Sequence, residues 1–161
     1  MQPLALAVKF SGPPGPGSQP RSRSWRGSRV AGGDDAVPAV LLVEDDIQLA
    51  EMYRLRLERT SIDVTVAADG EEALKLAGTL AYDLVLMDLG LPKRGGMEVI
   101  RMLRSKPQTA EIPMVVLSNY SEPSMVKEGL DLGILAYLVK ADTTPTKLVH
   151  SVLDWLRPAE A

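Results

Sequence analysis

The sequence predicts an α/β fold in which helices cover both faces of an open, doubly wound, five-stranded parallel sheet. Short apolar segments rich in Val, Leu and Ile alternate five times with longer segments of helical periodicity. Most of the short segments are uniformly apolar, which is typical of parallel strands buried on both faces. Five strand–helix units in about 120 residues, joined by right-handed crossovers, favour the strand order 2-1-3-4-5.

The five predicted strands contain four or five residues each. They are Ala39 to Val43, Asp63 to Ala67, Leu84 to Asp88, Met114 to Ser118 and Ala136 to Val139. The five predicted helices are Asp46 to about Thr60, Glu71 to about Leu80, Gly95 to Arg104, Ser124 to Leu132 and Pro145 to Leu156. Asp46 is placed to cap the first helix and Thr144 to cap the last.

Composition excludes several classes of protein. The chain has 161 residues, of which 45% are hydrophobic and 24% charged, as in a soluble globular domain. No stretch approaches the roughly 18 apolar residues of a membrane-spanning helix. The chain has no cysteine and one histidine, which excludes zinc–thiolate sites, thiol catalysis and histidine metal clusters. Its chemistry is therefore expected from carboxylates, hydroxyls and lysine.

The first 36 residues differ from the rest of the chain. They contain five Pro, six Gly and five Ser, and five basic residues against two acidic ones. Such a segment cannot bury enough apolar surface to offset its chain entropy, which predicts a disordered tail over 1–36. Residues 37–157 then form the folded domain and 158–161 a short C-terminal tail. The apolar start lacks the charged residues and cleavage site of a signal peptide, which predicts a cytoplasmic protein.

Polar residues end or follow four of the five predicted strands. They are Glu44, Asp45 and Asp46 after the first strand, Asp88 at the end of the third, Ser118 at the end of the fourth and Lys140 after the fifth. In the predicted order these strands are neighbours, so their carboxyl ends bring the side chains into one pocket. Crowded carboxylates repel unless they are protonated or meet a cation. Lys140 alone supplies too little charge, and an oxygen-only donor set with room for water suits Mg²⁺.

These groups suit phosphate chemistry. Asp88 would be an oxygen nucleophile towards phosphorus, while Mg²⁺ and Lys140 neutralise the transferring oxygens and the Ser118 hydroxyl donates a hydrogen bond. Asp46 is expected to cap the first helix rather than to bind metal.

Four segments in this order, LLVEDD, LVLMDLGLP, VVLSN and YLVK, resemble the receiver domain of two-component response regulators. The resemblance covers residues 38–157 and implies a flavodoxin-like fold. Because the chain stops soon after the last helix, it looks like the stand-alone, chemotaxis-regulator-like type. The resemblance implies that Asp88 is the phospho-acceptor, Asp45 a direct Mg²⁺ ligand, Glu44 an acidic partner acting through water, and the Gly90 carbonyl a further ligand.

The resemblance also implies how the domain would switch. Ser118 would be the switch hydroxyl that reports phosphorylation, Tyr137 the switch aromatic whose rotamer follows it, and Lys140 the lysine that pairs with the phosphoryl group. Phosphorylation would draw Ser118 and Tyr137 towards Asp88 and change the affinity of a distal face for a partner. The domain would thus catalyse only its own phosphotransfer and dephosphorylation.

Four positions bear on how the chain departs from the family. Ala141 follows Lys140 where the family usually has a cis-forming proline, and Asn119 follows Ser118 where the family usually has a small residue. Gly90 and Tyr120 occupy places that resemble the positions tuning the phosphoryl lifetime in the family. We therefore expect an altered phosphoryl lifetime.

The last predicted helix ends near Leu156, and only five residues follow it. This predicts no DNA-binding domain and no membrane contact. The expected partners are a sensor histidine kinase or phosphotransfer protein upstream and an unidentified protein downstream. The face of the fourth helix, fifth strand and fifth helix is the candidate surface for that contact and for a homodimer.

Three alternatives stay open. A phosphatase of the haloacid dehalogenase class would need a second aspartate two residues after the nucleophile, where Gly90 stands. A flavin-binding module would need a phosphate-binding loop after the first strand, where the acidic residues would repel phosphate. A degenerate receiver would act as a phosphorylation-independent binding module; Asn119 and Ala141 favour it, whereas the complete set of acidic residues, Ser118 and Lys140 opposes it.

Overall fold

The computed structural model describes residues 37–91 and 94–157. The two predicted tails, 1–36 and 158–161, lie outside the described residues. Strands and α-helices alternate along the described chain. The strands are β1 (Ala39–Val43), β2 (Asp63–Ala67), β3 (Leu84–Asp88), β4 (Met114–Ser118) and β5 (Ala136–Val139). The α-helices are α1 (Ile47–Glu58), α2 (Gly70–Thr79), α3 (Gly96–Arg104), α4 (Pro123–Asp131) and α5 (Pro145–Leu156).

The five strands form one parallel sheet in the order β2-β1-β3-β4-β5, which confirms the predicted topology. The register sets Asp88 opposite Leu117 and Ser118 opposite Val139. The carboxyl ends of β3, β4 and β5 are therefore level. The side chains that follow these strands share one edge of the sheet.

Side-chain caps set where three of the helices begin. The Asp46 carboxylate accepts the Leu49 N–H at 3.1 Å, and the Thr144 hydroxyl accepts the Lys147 N–H at 3.2 Å. Both residues cap their helices as the sequence predicts. Asp69 caps α2 in the same way and moves its start to Gly70, one residue before the predicted position.

The core has two apolar layers, one on each face of the sheet. Alternate strand residues face opposite sides, so Val40 and Leu42 pack with α1 and α5, whereas Leu41 and Val43 pack with α2, α3 and α4. All residues of β1, β3 and β4 are buried, as the uniformly apolar segments predict. Within residues 37–91 and 94–157, no helix has the length and apolar character needed to cross a membrane.

Candidate functional site

Three carboxylates meet at the carboxyl ends of β1 and β3. One oxygen from each of Glu44, Asp45 and Asp88 lies within 4.8 Å of the other two. Glu44 is buried because it continues β1, donating its N–H to the Ala67 carbonyl at 3.0 Å, and Asp88 is buried as the last residue of β3. Asp45 is exposed. The acidic cluster therefore has a buried floor and a side that is open to solvent.

Lys140 brings a positive charge into the acidic cluster. Its Nζ lies 2.8 Å from Glu44 Oε2 and 3.3 Å from Asp88 Oδ2, and the side chain is only 12% exposed. One ammonium thus faces three carboxylates among the described residues. The cluster keeps an excess of negative charge, which a divalent cation would balance.

Burial and pairing have opposite effects on the pKa values of this ion pair. Burial raises the pKa of Glu44, and the hydrogen bond from Lys140 offsets only part of that effect. Burial acts to lower the pKa of Lys140, but the hydrogen bond to Glu44 and the charges of Asp88 and Glu44 outweigh it and raise the pKa. Lys140 therefore stays charged throughout the neutral range.

The loop after β3 orients the Asp88 side chain. The Gly90 N–H donates to Asp88 Oδ1 at 3.1 Å, while Lys140 lies beside Oδ2. A Cβ at Gly96 would lie 2.2 Å from the Asp88 carbonyl oxygen, so only glycine allows α3 to approach this closely. The carboxylate is thus held with one oxygen at a backbone amide and the other at the ammonium.

A second set of contacts joins Ser118 to Tyr137 through the backbone of Tyr120. Ser118 Oγ accepts the Tyr120 N–H at 3.1 Å, and the Tyr137 hydroxyl donates to the Tyr120 carbonyl at 2.6 Å. Ser118 and Tyr137 are both buried. Burial raises the pKa of the Tyr137 hydroxyl against the opposing effect of its contact with Ser118. The two predicted switch residues are therefore linked through one peptide segment.

The loop after β5 is shaped without proline. Lys140–Asp142 form a single 3-10 turn, and no peptide bond among the described residues is cis. The Thr143 N–H donates to the Lys140 carbonyl at 3.3 Å and its hydroxyl to the Val139 carbonyl at 2.9 Å. Thr143 therefore closes the turn that presents Lys140, and Ala141 is accommodated within it.

Sequence reasoning missed the position of Tyr53. Its spacing places it on the apolar stripe of α1, and it is buried there. Burial raises its pKa, and the charges of Lys140, Glu44 and Asp88 also act on it. Helical side chains lean towards the N-terminus of their helix, which in α1 is the end next to the acidic cluster. That direction was the signal in the sequence that the charges of the cluster could act on the phenol.

The remaining sequence-predicted residues lie around the acidic cluster. Asp46 is outside the cluster and caps α1. Asn119 and Tyr120 are exposed in the loop after β4, and Tyr120 is 67% exposed. Their effect on the phosphoryl lifetime stays a prediction, as does the role of the Gly90 carbonyl as a metal ligand.

Residues 40–153 match the family model of the response regulator receiver domain. The chain belongs to this family. Receiver domains are signalling switches of two-component systems, and they bind Mg²⁺ in an acidic pocket. The family, the fold and the signalling class predicted from the sequence are therefore confirmed.

Known proteins resemble the receiver domain in both sequence and structure. It is 35% identical over 116 residues to the transcriptional regulatory protein YdfI of Bacillus subtilis, which covers 70% of this chain and 52% of the relative. The structure of the chemotaxis response regulator CheY4 of Vibrio cholerae superposes with a TM-score of 0.69 at 28% identity, covering 74% of this chain and 99% of that one.

The prediction that the partners exclude DNA is wrong. The DNA-binding response regulator MtrA of Mycobacterium leprae is 37% identical over 118 residues, which are 73% of this chain and 51% of the relative. This chain spans about half the length or less of the curated relatives it matches, and the match is to their receiver domains. A receiver domain folds around its own core, so its sequence does not indicate which kind of output domain it works with. The five residues after the last helix were therefore no ground for excluding DNA.

Proposed function

We propose that this receiver domain accepts a phosphoryl group on Asp88 from a histidine kinase or phosphotransfer protein, in a step that requires Mg²⁺. The observation that carries the proposal is the meeting of three carboxylates with one lysine at the carboxyl edge of the sheet. This arrangement supplies a nucleophile, a cation for the transferring oxygens and an excess of negative charge for a metal ion.

The donor set fits Mg²⁺. It consists of oxygen atoms only, and its exposed member, Asp45, leaves a side open for the waters that Mg²⁺ retains. Asp45 and Asp88 would be direct ligands together with the Gly90 carbonyl, whereas Glu44, bound to Lys140, would act through water. Bound there, Mg²⁺ would neutralise charge on the phosphoryl oxygens during transfer.

In the transfer step, a carboxylate oxygen of Asp88 forms a bond to phosphorus as the bond from phosphorus to the donor's imidazole nitrogen breaks. The nitrogen keeps the electron pair, and Asp88 becomes an acyl phosphate. The Gly90 N–H and Lys140 hold the carboxylate for this attack because they bind its two oxygens separately. Lys140 then pairs with the added phosphoryl oxygens.

The switch would act through the loop after β4. The Ser118 hydroxyl donates to a phosphoryl oxygen, and this changes its hydrogen bond to the Tyr120 N–H. Because the Tyr137 hydroxyl holds the carbonyl of the same residue, a shift of Tyr120 reaches the Tyr137 ring. The contacts supporting this path are the two hydrogen bonds that meet at Tyr120.

Intact-mass spectrometry after incubation with acetyl phosphate tests the proposal. One phosphoryl group is expected on the wild type with Mg²⁺, and none after chelation of the metal or in Asp88→Asn. Asp46→Asn is the matched control, because it removes a neighbouring carboxylate outside the cluster and keeps a good helix cap.

If no sample carries a phosphoryl group while a known receiver domain reacts alongside, the proposal is wrong. The phosphorylation-independent binding module is then the better interpretation. A phosphoryl group that persists in Asp88→Asn would place the acceptor elsewhere.

A further inference from the structure

The two ends of α4 are held in different ways, and its C-terminal end is closed by the backbone. Gly133 adopts a φ of +73°, and its N–H donates to the Leu130 carbonyl at 2.9 Å. The Ile134 N–H donates to the Gly129 carbonyl at 3.2 Å. These are the two hydrogen bonds of a Schellman motif, which ends a helix at a glycine with positive φ.

Arg104, the last residue of α3, donates hydrogen bonds to two carbonyls at the end of α4 that accept none of the hydrogen bonds of the Schellman motif. Its Nε donates to the Leu132 carbonyl at 2.8 Å and its Nη2 to the Gly133 carbonyl at 3.2 Å. Its Nη1 donates to the carbonyls of Ala110 and Ile112 at 2.8 and 2.7 Å. One guanidinium thus joins the end of α4 and the segment before β4 to the end of α3.

Within residues 37–91 and 94–157, no such anchor is found at the N-terminal end of α4. Glu122 makes no side-chain hydrogen bond as the cap, and the residues of the first turn, Pro123 and Ser124, are exposed. The loop before the helix is held at Tyr120, by Ser118 and Tyr137. The end of α4 next to the acidic cluster is therefore the end whose contacts are easiest to exchange.

We propose that Arg104 is the fixed point of α4, which confines the movement caused by phosphorylation to the N-terminal end of that helix. Releasing the C-terminal end would take the Leu132 and Gly133 carbonyls away from the guanidinium, which stays bound to the segment before β4, whereas the N-terminal turn already contacts water. The ion pair between Arg101 and Glu128 also joins α3 to α4, but both side chains are exposed and the pair contributes little. The part of the proposal that concerns movement rests on the proposed function.

Hydrogen–deuterium exchange of the full chain tests the proposal, measured free and with Mg²⁺ and beryllofluoride as an acyl-phosphate mimic. In the wild type, the mimic should change amide exchange over 119–126 and leave 129–135 unchanged. A change of equal size at both ends of α4 overturns the confinement.

Arg104→Lys, measured without metal or mimic, tests the anchor by itself. Lysine keeps the charge but cannot reach all four carbonyls, so exchange over 129–135 should rise by about tenfold or more. Arg101→Gln is the matched control on the same helix and should change exchange in this segment less than about twofold. An Arg104→Lys protein that exchanges like the wild type overturns the anchor.

The two proposals fail in distinguishable ways. If the mimic alters exchange nowhere and acetyl phosphate leaves no adduct, the proposed function is wrong, and the Arg104→Lys result still decides whether Arg104 holds α4. If Arg104→Lys does not fold, the comparison of the two ends of α4 in the wild type decides the confinement.

Discussion

Charged groups that are buried or half-buried lie at both edges of the parallel sheet, and they are paired in opposite ways. At the carboxyl edge, Glu44 and Asp88 are buried beside Asp45 and share one ammonium, that of Lys140. At the amino edge, where β4 and β5 begin, each nitrogen of the Arg104 guanidinium donates to at least one backbone carbonyl. The carboxyl edge has more negative charge than Lys140 can balance. At the amino edge, the positive charge of Arg104 is hydrogen-bonded to uncharged backbone carbonyls.

This difference suggests that the carboxyl edge serves ligand binding and the amino edge serves the stability of the fold. The four carbonyls that bind Arg104 come from two separate segments of the chain, the end of α4 and the segment before β4, so this side chain acts as structure. The carboxylates at the carboxyl edge outnumber the ammonium beside them and attract cations. This edge can therefore bind and release a cation while the fold stays intact. Substitutions at the amino edge should therefore change stability, and substitutions at the carboxyl edge should change ligand binding.

The largest expected effect is at the amino edge. Arg104→Met keeps the apolar stem of the side chain but leaves four carbonyls without their donor. We expect the free energy of unfolding to fall by about 3 kcal/mol, because three of these contacts are partly buried and a polar group left unpaired away from water costs about 1–3 kcal/mol. Urea denaturation followed by circular dichroism measures this. A loss below about 1 kcal/mol would mean that water replaces the guanidinium and that the edges do not differ as described.

Mg²⁺ should stabilise the protein through the carboxyl edge. At a hundredfold excess over its dissociation constant, a ligand that binds only the folded state adds about 2.7 kcal/mol to the free energy of unfolding. Asp45→Asn should weaken this response, whereas Asp46→Asn should leave it intact. Thermal denaturation with MgCl₂ and with NaCl at equal ionic strength measures it, and equal shifts with the two salts would contradict a specific site.

Asp88→Asn should have a smaller effect whose sign depends on the metal. Without Mg²⁺ the substitution relieves repulsion from Glu44 and Asp45 and loses the contact with Lys140. We expect a gain of about 1 kcal/mol, the energy of one pair of unit charges near 4 Å in water. With saturating Mg²⁺ the gain should become a loss, because a ligand is missing. Destabilisation in both conditions would show that repulsion does not dominate the carboxyl edge.

The smallest effect is expected at the exposed ion pair between α3 and α4. Arg101→Gln removes a contact to Glu128 whose two side chains are both exposed to solvent. The change in the free energy of unfolding should stay below about 0.5 kcal/mol, as for most surface ion pairs. Denaturation beside Arg104→Met measures the contrast. A loss approaching that of Arg104→Met would mean that the partly buried contacts of the guanidinium are not what distinguishes Arg104.

Most of the strands could be predicted because a strand that is buried on both faces is a short run of apolar residues in the sequence. All five begin and end at the predicted residues, and most of them are short, uniformly apolar runs, whereas β2 contains polar residues and is only partly buried. Helix starts differ by one residue where a cap decides them, as at Asp69 and at Pro123, which takes the first position of α4. The residue types after the strands indicated which side chains would meet, because parallel strands bring their carboxyl ends together.

The sequence did not reveal the contacts of Arg104 or the charges that act on Tyr53. In the sequence, Arg104 is one of several basic residues at the end of a helix. Its contacts could not be predicted because its partners Leu132 and Gly133 lie 28 and 29 residues further along the chain. Tyr53 reads as one member of an apolar stripe, although its pKa is sensitive to the charges of the acidic cluster. Spacing along one helix carries no information about contacts made by another element.

The sequence by itself determined the order of the elements, the strand bounds and the set of polar side chains at the carboxyl edge, because these follow from local periodicity and the geometry of parallel sheets. The tertiary structure alone decided how the charges are paired: which carboxylate Lys140 binds, how Tyr120 joins Ser118 to Tyr137, and that Arg104 anchors α4. Pairing depends on distances between residues far apart in the chain, and those distances exist only once the two apolar layers have packed against the sheet.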